Sequence, residues 1–278
     1  MSGPDNLPPT RDLSAQSGPP AIDAETRIVA LLGHPVAHSL SPRMQNAAFR
    51  ALGLNWAYVA LDVEPARVGE AVRGLAALGF AGANVTIPHK SAVIPFCDEV
   101  DAVAARAESV NTIVVRDGRV IGSSTDGLAV TQVVRAAGER VLLLGAGGAA
   151  KAVAVALAEA GADVVVSARR DEQARALAAL CGGATATWPP RGAGFGILLN
   201  STPLKAEVVV APLRGQQVVD LAYNRDGTPT ALVAAARAAG CETVVDGVAV
   251  LVGQGAAAFE CWTGLAAPVA AMHAALHA

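Results

Sequence analysis

Three things are scarce in this chain. The first is an excess of positive charge: 21 basic against 24 acidic residues leave a formal net charge of -3. No broad field exists to draw a nucleic-acid backbone or an anionic membrane leaflet, so neither is expected as a partner. Cysteine is the second. Cys97, Cys181, Cys241 and Cys261 stand far apart, with no CxxC and no Cys/His pair at metal-ligand spacing, which predicts reduced thiols and no metal. Long apolar runs are the third. The stretches at 141–158 and 244–259 are broken by Lys151 and by glycine-rich segments, and neither suits a spanning helix of ~20 residues. Residues 1–25 have no apolar h-region and are rich in Pro, Gly, Ser, Asp and Gln. They are expected to be a disordered segment and not a signal peptide, and a cytoplasmic location is the matching expectation.

What is abundant is core material, with 53% apolar residues against 16% charged in 278. At ~100 to 200 residues per domain this means one large or two modest domains. From Ile28 short apolar runs alternate with helical stretches: IVALLG (28–33), a helix from Pro42, WAYVAL (56–61), a helix from Pro65 and GANVTI (82–87). Strands separated by helices predict an α/β fold with a mainly parallel sheet. A helix is expected after Pro88, and VNTIVV (110–115) with RVIGS (119–123) around Asp117-Gly118 predicts a hairpin. A helix over 125–137 then leads to a second βα series: VLLLG (141–145), helix 148–160, VVVSA (164–168), helix 171–180, FGILLNST (195–202), QVVDLAY (217–223), helix 230–239 and ETVVDG (242–247). Two domains are therefore expected, residues 26–126 plus 248–278 and residues 127–247, with the C-terminal helices returning to the first.

Gly145-Ala146-Gly147-Gly148-Ala149-Ala150 follows a strand pattern and opens a helix pattern, the context of a dinucleotide fingerprint. Glycines there permit a tight turn, and amides at a helix N-terminus can hold a pyrophosphate. A glycine-rich turn can also be purely structural. The end of the next strand favours NADP over NAD, because Ser167-Ala168-Arg169-Arg170 offers guanidiniums where a 2′-hydroxyl reader would be acidic. The alternative is a solvated arginine pair.

In the first domain His38-Ser39-Leu40-Ser41-Pro42 puts two hydroxyls ahead of a helix. Ser41 is a ready N-cap before Pro at N1, and two hydroxyls at a helix N-terminus also suit a carboxylate. Asn84 and Thr86 alternate on one strand face, ahead of Lys90 in the first turn of the expected helix. A helix N-terminus disfavours a cation there and favours the neutral amine of acid/base chemistry, while a nearby carboxylate would hold it charged. Asp126 supplies such a carboxylate, or serves as N-cap of the following helix. Asn111-Thr112 is a polar pair inside an apolar strand, and Gln254 stands alone among small and apolar residues between Asp246 and Glu260.

With these residues in view the chain resembles the shikimate dehydrogenase family over roughly residues 28–264. The resemblance rests on GHPVAHSLSP, NVTIPHK, the NT of VNTIVV, STDG, GAGGAAKA, NSTP, DLAY and DGVAVLVGQGAAAFECWTG, in that order. It implies a substrate domain beside a Rossmann-type domain, and the reversible NADP-linked reduction of 3-dehydroshikimate to shikimate without a metal. It further implies Lys90 and Asp126 as the catalytic pair. Ser39, Ser41 and Tyr223 would hold the substrate carboxylate, and Asn84, Thr86, Asn111 and Gln254 would read ring hydroxyls. Gly145, Ala146, Gly147, Gly148, Ala149, Ala168, Arg169, Arg170, Thr202, Leu221 and Gly247 would hold the cofactor. A monomer or homodimer is expected. The chain departs from the family pattern at Gln45 (commonly His), Ser124, Ala168, Gln173, Lys205 (usually Gly), Val250 (commonly Met) and the longer loop 224–229. The rival readings are a paralogue acting on quinate or an aminated shikimate, and a shikimate sensor without turnover. The presence of both Lys90 and Asp126 argues against the sensor.

Overall fold

The computed structural model describes residues 22–191 and 193–277. β1 (Arg27–Gly33) leads through α1 (Ser41–Ala51) to β2 (Trp56–Asp62), and α2 (Val68–Ala77) leads on to β3 (Gly82–Val85). β4 (Glu99–Val100) and α3 (Ala102–Ala107) precede the hairpin of β5 (Thr112–Arg116) and β6 (Arg119–Ser123). These strands form one sheet in the order β2-β1-β3-β5-β6-β4, parallel around β1 and antiparallel at β3/β5 and β5/β6. The hairpin closes on Asp117 and Gly118 with φ of 52° and 74°, the two positive values that a type I′ turn needs. Alternation along β1 feeds two cores: Val29 and Leu31 pack toward α1, while Ala30 and Leu32 pack with Val72 and Leu75 of α2.

α4 (Asp126–Thr131) crosses to the second sheet. There β7 (Arg140–Leu144), α5 (Gly148–Glu159), β8 (Asp163–Ser167), α6 (Asp171–Cys181), β9 (Ala184–Thr185), β10 (Ile197–Asn200), β11 (Gln217–Asp220), α7 (Ala231–Ala239) and β12 (Thr243–Val245) follow in turn. The sheet is wholly parallel in the order β12-β11-β10-β7-β8-β9. Strand order reverses between β7 and β10, which opens a crevice at the carboxyl ends of the strands. α8 (Gly247–Thr263) starts beside β12 and ends against the first sheet, where the Trp262 indole donates to the Ile113 carbonyl at 2.9 Å. Its Val250 belongs to the second sheet's core, and Val252 and Phe259 belong to the first. α9 (Val269–His277) packs Met272 and Leu276 into the same core as α1.

Four expectations need correction. The helix expected after Pro88 is a chain of turns ending in a 3-10 segment at Ile94–Phe96. The Lys90 carbonyl accepts from Val110 N–H at 2.8 Å, and Pro95 has no N–H to offer Ser91, so an α-helical ladder cannot form. The helix expected over 125–137 stops at Thr131, where the Thr131 hydroxyl bonds the carbonyls of Gly127 and Leu128 and β-branched residues follow. Neither proposed N-cap acts as one. Leu40 and Thr125 occupy the cap positions of α1 and α4 without a side-chain bond to the helix amides, and Ser39 Oγ accepts from Ser41 N–H at 3.2 Å. Lastly, of the segment 1–25 expected to be disordered, residues 1–21 lie outside the described residues. Residues 23–26 instead form a turn, fastened by the Asn55 amide donating to Asp23 Oδ1 at 2.8 Å.

Candidate active site

The end of β3, the start of β5, the start of α4 and the middle of α8 converge on one buried polar cluster. Lys90, in the turns after β3, donates from Nζ to Asp126 Oδ2, and the two side chains are only 13% and 11% exposed. Asn111, just before β5, donates to the other carboxylate oxygen, Oδ1, at 2.8 Å and to Thr125 Oγ1 at 2.9 Å. Its own carbonyl oxygen Oδ1 accepts from Thr125 N–H at 2.8 Å and from the Thr112 hydroxyl at 3.0 Å. Thr125 Oγ1 donates to the Gln254 backbone carbonyl at 3.0 Å, and Gln254 Oε1 lies 3.4 Å from Asn111 Nδ2. The carboxylate is therefore held from one side by an ammonium and from the other by an amide. When the lysine passes a proton to a bound molecule, the carboxylate left behind keeps its bond from the Asn111 amide, so its charge stays hydrogen-bonded.

A second group extends this cluster along the first sheet. Asn84, 4% exposed, donates to the Asn111 carbonyl at 3.1 Å and to Thr112 Oγ1 at 3.2 Å, and accepts from the Tyr58 hydroxyl at 2.8 Å. All its polar atoms are engaged within the chain. Thr86 is half-buried and lays its methyl against Gly33, where a Cβ would fall 2.4 Å away. Ser41 is buried and Ser39 half-buried. Tyr223, from beyond β11, reaches across from the second sheet to the backbone at Leu40, between the two serines, and burial raises its phenol above the usual tyrosine range. Gln45, where the family pattern has His, donates from Nε2 to the Gly255 carbonyl at 2.9 Å, next to Gln254.

Residues expected to hold a cofactor sit at the carboxyl ends of the second sheet. Gly145 follows β7 with φ of 105°, and a Cβ there would fall 3.0 Å from the Ser201 carbonyl oxygen and 3.3 Å from the Thr202 methyl. Only glycine fits. Above Gly147 the space is open, and no side chain caps α5, so Gly148, Ala149 and Ala150 present bare helix N-terminal amides. Ala146 is half-buried beside them. Ala168 is half-buried after β8, while Arg169 and Arg170 are exposed. Thr202 N–H and hydroxyl both bond Asn200 Oδ1, at 3.0 and 2.7 Å. Leu221 N–H bonds the Asn200 carbonyl at 2.8 Å. Gly247 lies against Ala222, whose carbonyl oxygen would be 2.4 Å from a Cβ. Beneath this row Asp220 accepts from Asn200 Nδ2 and Ala222 N–H, at 2.8 and 2.9 Å, and from the Thr230 hydroxyl. Burial still raises its carboxyl above the usual range. A shaped turn, bare amides and exposed guanidiniums fit a phosphorylated dinucleotide.

The two groups touch. A Cβ on Gly148 would lie 3.1 Å from Lys90 Cβ, so the glycine-rich turn and the buried lysine are in van der Waals contact. Nearby, Lys151 of α5 pairs with Glu108 at 2.6 Å, and Arg106 of α3 pairs with Glu159 at 2.5 Å. Two features were missed by the motifs. Tyr58 sits within a run that reads simply as buried strand, and Asn46 clamps it by accepting from Tyr58 N–H and donating to Tyr58 carbonyl at 2.8 and 2.9 Å. The available signal was rarity. The chain has two tyrosines, and both are here.

Residues 31–113 match the model of the shikimate dehydrogenase substrate binding domain, and residues 247–277 match that of the shikimate 5′-dehydrogenase C-terminal domain. The NADP(+) shikimate dehydrogenase of Moorella thermoacetica is 47% identical over 276 residues, covering 90% of this chain and 92% of the relative. The chain belongs to the shikimate dehydrogenase family. Among solved structures, a shikimate dehydrogenase in complex with NADP+ superposes with a TM-score of 0.86 at 36% identity, covering 92% of this chain and 96% of that one. The Thermus thermophilus shikimate 5-dehydrogenase, solved in complex with NADP(H) and shikimate, has a TM-score of 0.80 at 34% identity and covers 90% of this chain and 98% of its own. The two-sheet α/β architecture is thus that of the shikimate dehydrogenases. Among the described residues no helix is long and apolar enough to cross a membrane, and no three His, Cys, Asp or Glu side chains gather as a metal site.

Proposed function

We propose that this chain is an NADP-dependent oxidoreductase that interconverts 3-dehydroshikimate and shikimate, acting in the cytoplasm as a monomer or homodimer. Residues 26–126 and 248–278 hold the substrate, and residues 127–247 hold the cofactor. The observation that carries the reading is the buried Lys90–Asp126 pair, braced by Asn111 and lying in contact with the glycine-rich turn at Gly148. When bound, NADPH supplies the hydride. Lys90 gives a proton to the alkoxide that develops on the carbonyl oxygen during reduction, and takes it back in the reverse direction. Asp126 keeps the ammonium in place and balances its charge.

Ser39, Ser41 and Tyr223 hold the substrate carboxylate, drawing on both sheets. Asn84, Thr86, Asn111 and Gln254 read or frame the ring hydroxyls. The turn from Gly145 to Ala149 holds the pyrophosphate, with Thr202, Leu221 and Gly247 lining the crevice. Arg169 and Arg170, which follow Ala168 at the end of β8, favour the 2′-phosphate, a preference kept moderate by the loss of the usual Asn at Ala168. Steady-state rates with shikimate and with quinate, each with NADP and NAD, test the reading. The expected result is highest kcat/KM for shikimate with NADP, and a preference for quinate or for NAD would replace it with the paralogue.

A further inference from the structure

Tyr58 has no part in the roles assigned above, yet its position is fixed at every point. Asn46 clamps its backbone at the sheet edge with bonds of 2.8 and 2.9 Å. Its ring lies 6.0 Å from that of Trp262, and the residue is 3% exposed. Its hydroxyl donates to Asn84 Oδ1 at 2.8 Å and lies beside the side chain of Ser41. Burial raises the phenol above the usual tyrosine range, so it stays protonated and remains a donor. That proton decides which way the Asn84 amide faces: with Oδ1 engaged, Nδ2 must turn to the Asn111 carbonyl and Thr112 Oγ1. Asn111 in turn holds Asp126.

We infer that Tyr58 is a positioning residue for substrate binding, whose hydroxyl lies beside Ser41 at the carboxylate end of the site and fixes the Asn84–Asn111–Asp126 network at the reacting end. The inference rests on the shikimate reading, because only a substrate that spans Ser41 and Lys90 needs both ends held in register. A ring hydroxy acid does so. The hydroxyl touches none of the cofactor-turn residues, so its loss falls on the acid and not on the dinucleotide.

Tyr58→Phe keeps the ring and deletes the hydroxyl. Steady-state kinetics of the full chain with shikimate and NADP should show KM for shikimate raised about five- to tenfold, as loss of one buried hydrogen bond predicts. KM for NADP should stay within about twofold, and kcat should fall less than KM rises. Fluorescence titration with NADPH alone supplies a readout independent of turnover and should be unchanged. A shikimate KM within about twofold of the unsubstituted chain overturns the inference. So does a parallel rise in both KM values that follows a lowered melting temperature, which would make the hydroxyl merely structural. Asn46→Ala serves as the control, since it loosens the strand and leaves the phenol bond, and should move the melting temperature more than the KM ratio. Failure of the unsubstituted chain to oxidise shikimate would instead remove the reading on which the inference stands.

Discussion

At the scale of single residues, the two serines of the Ser39-Leu40-Ser41 segment differ in what they do for the head of α1. Ser39 Oγ accepts the Ser41 N–H at the head of α1, while Ser41 is buried against Tyr58 and caps nothing. Ser39→Ala should therefore cost about 1 kcal/mol of stability, the usual range for a lost local cap. Ser41→Ala should leave the α1 terminus intact and raise KM for shikimate far more than for NADP. Thermal denaturation beside kinetics on each variant checks the split, and equal losses of stability would refute it. Arg169 makes no ion pair among the described residues and stands exposed after β8. With no acidic side chain ending that strand to repel a 2′-phosphate, Arg169→Ala should lower kcat/KM for NADP by roughly one to two orders of magnitude and leave that for NAD nearly unchanged. Equal losses with both cofactors would mark the arginine as a surface charge.

At the scale of elements, the STDG segment shows why some of the site was legible and some was not. Asp126 was readable as a carboxylate near a helix start and as the partner of Lys90, but the backbone that brings Lys90 to it, turns and not a helix, was not. That outcome was set by a carbonyl claimed by Val110 and by Pro95, both tertiary or local details that an apolar-periodicity reading overlooks. The strands of both sheets were legible because buried parallel strands are near-continuous Val, Leu and Ile runs. Short pieces such as β4, β9 and α3 carry too few residues to show a period. Gly127 has a physical reason beyond the motif: a Cβ there would lie 2.6 Å from Ala156 Cβ and 2.7 Å from the Ala152 carbonyl oxygen of α5. Gly127→Ala should push α4 off α5, costing about 1 to 3 kcal/mol and displacing Asp126. Chemical denaturation with kcat measured on the same variant should show both losses, and an unchanged midpoint would deny the close helix crossing.

At the scale of the whole molecule, the site exists because the chain leaves the first sheet at α4 and comes back along α8. Those two crossings bring Asp126 and Gln254 to the Asn111 amide nitrogen, and they bring the glycine-rich turn against Lys90. No single stretch of sequence contains that arrangement. Each motif was visible alone, whereas the contact between Gly148 and Lys90 follows only from packing the two sheets through α3, α4 and α5. The most direct measurement is the rate at which 3-dehydroshikimate oxidises NADPH, compared between the unsubstituted chain and Lys90→Ala, with NADPH affinity determined on both. Loss of a general acid predicts a kcat lower by about 10²- to 10⁴-fold with NADPH affinity nearly intact, while a variant that keeps near-normal kcat would contradict a proton role for Lys90.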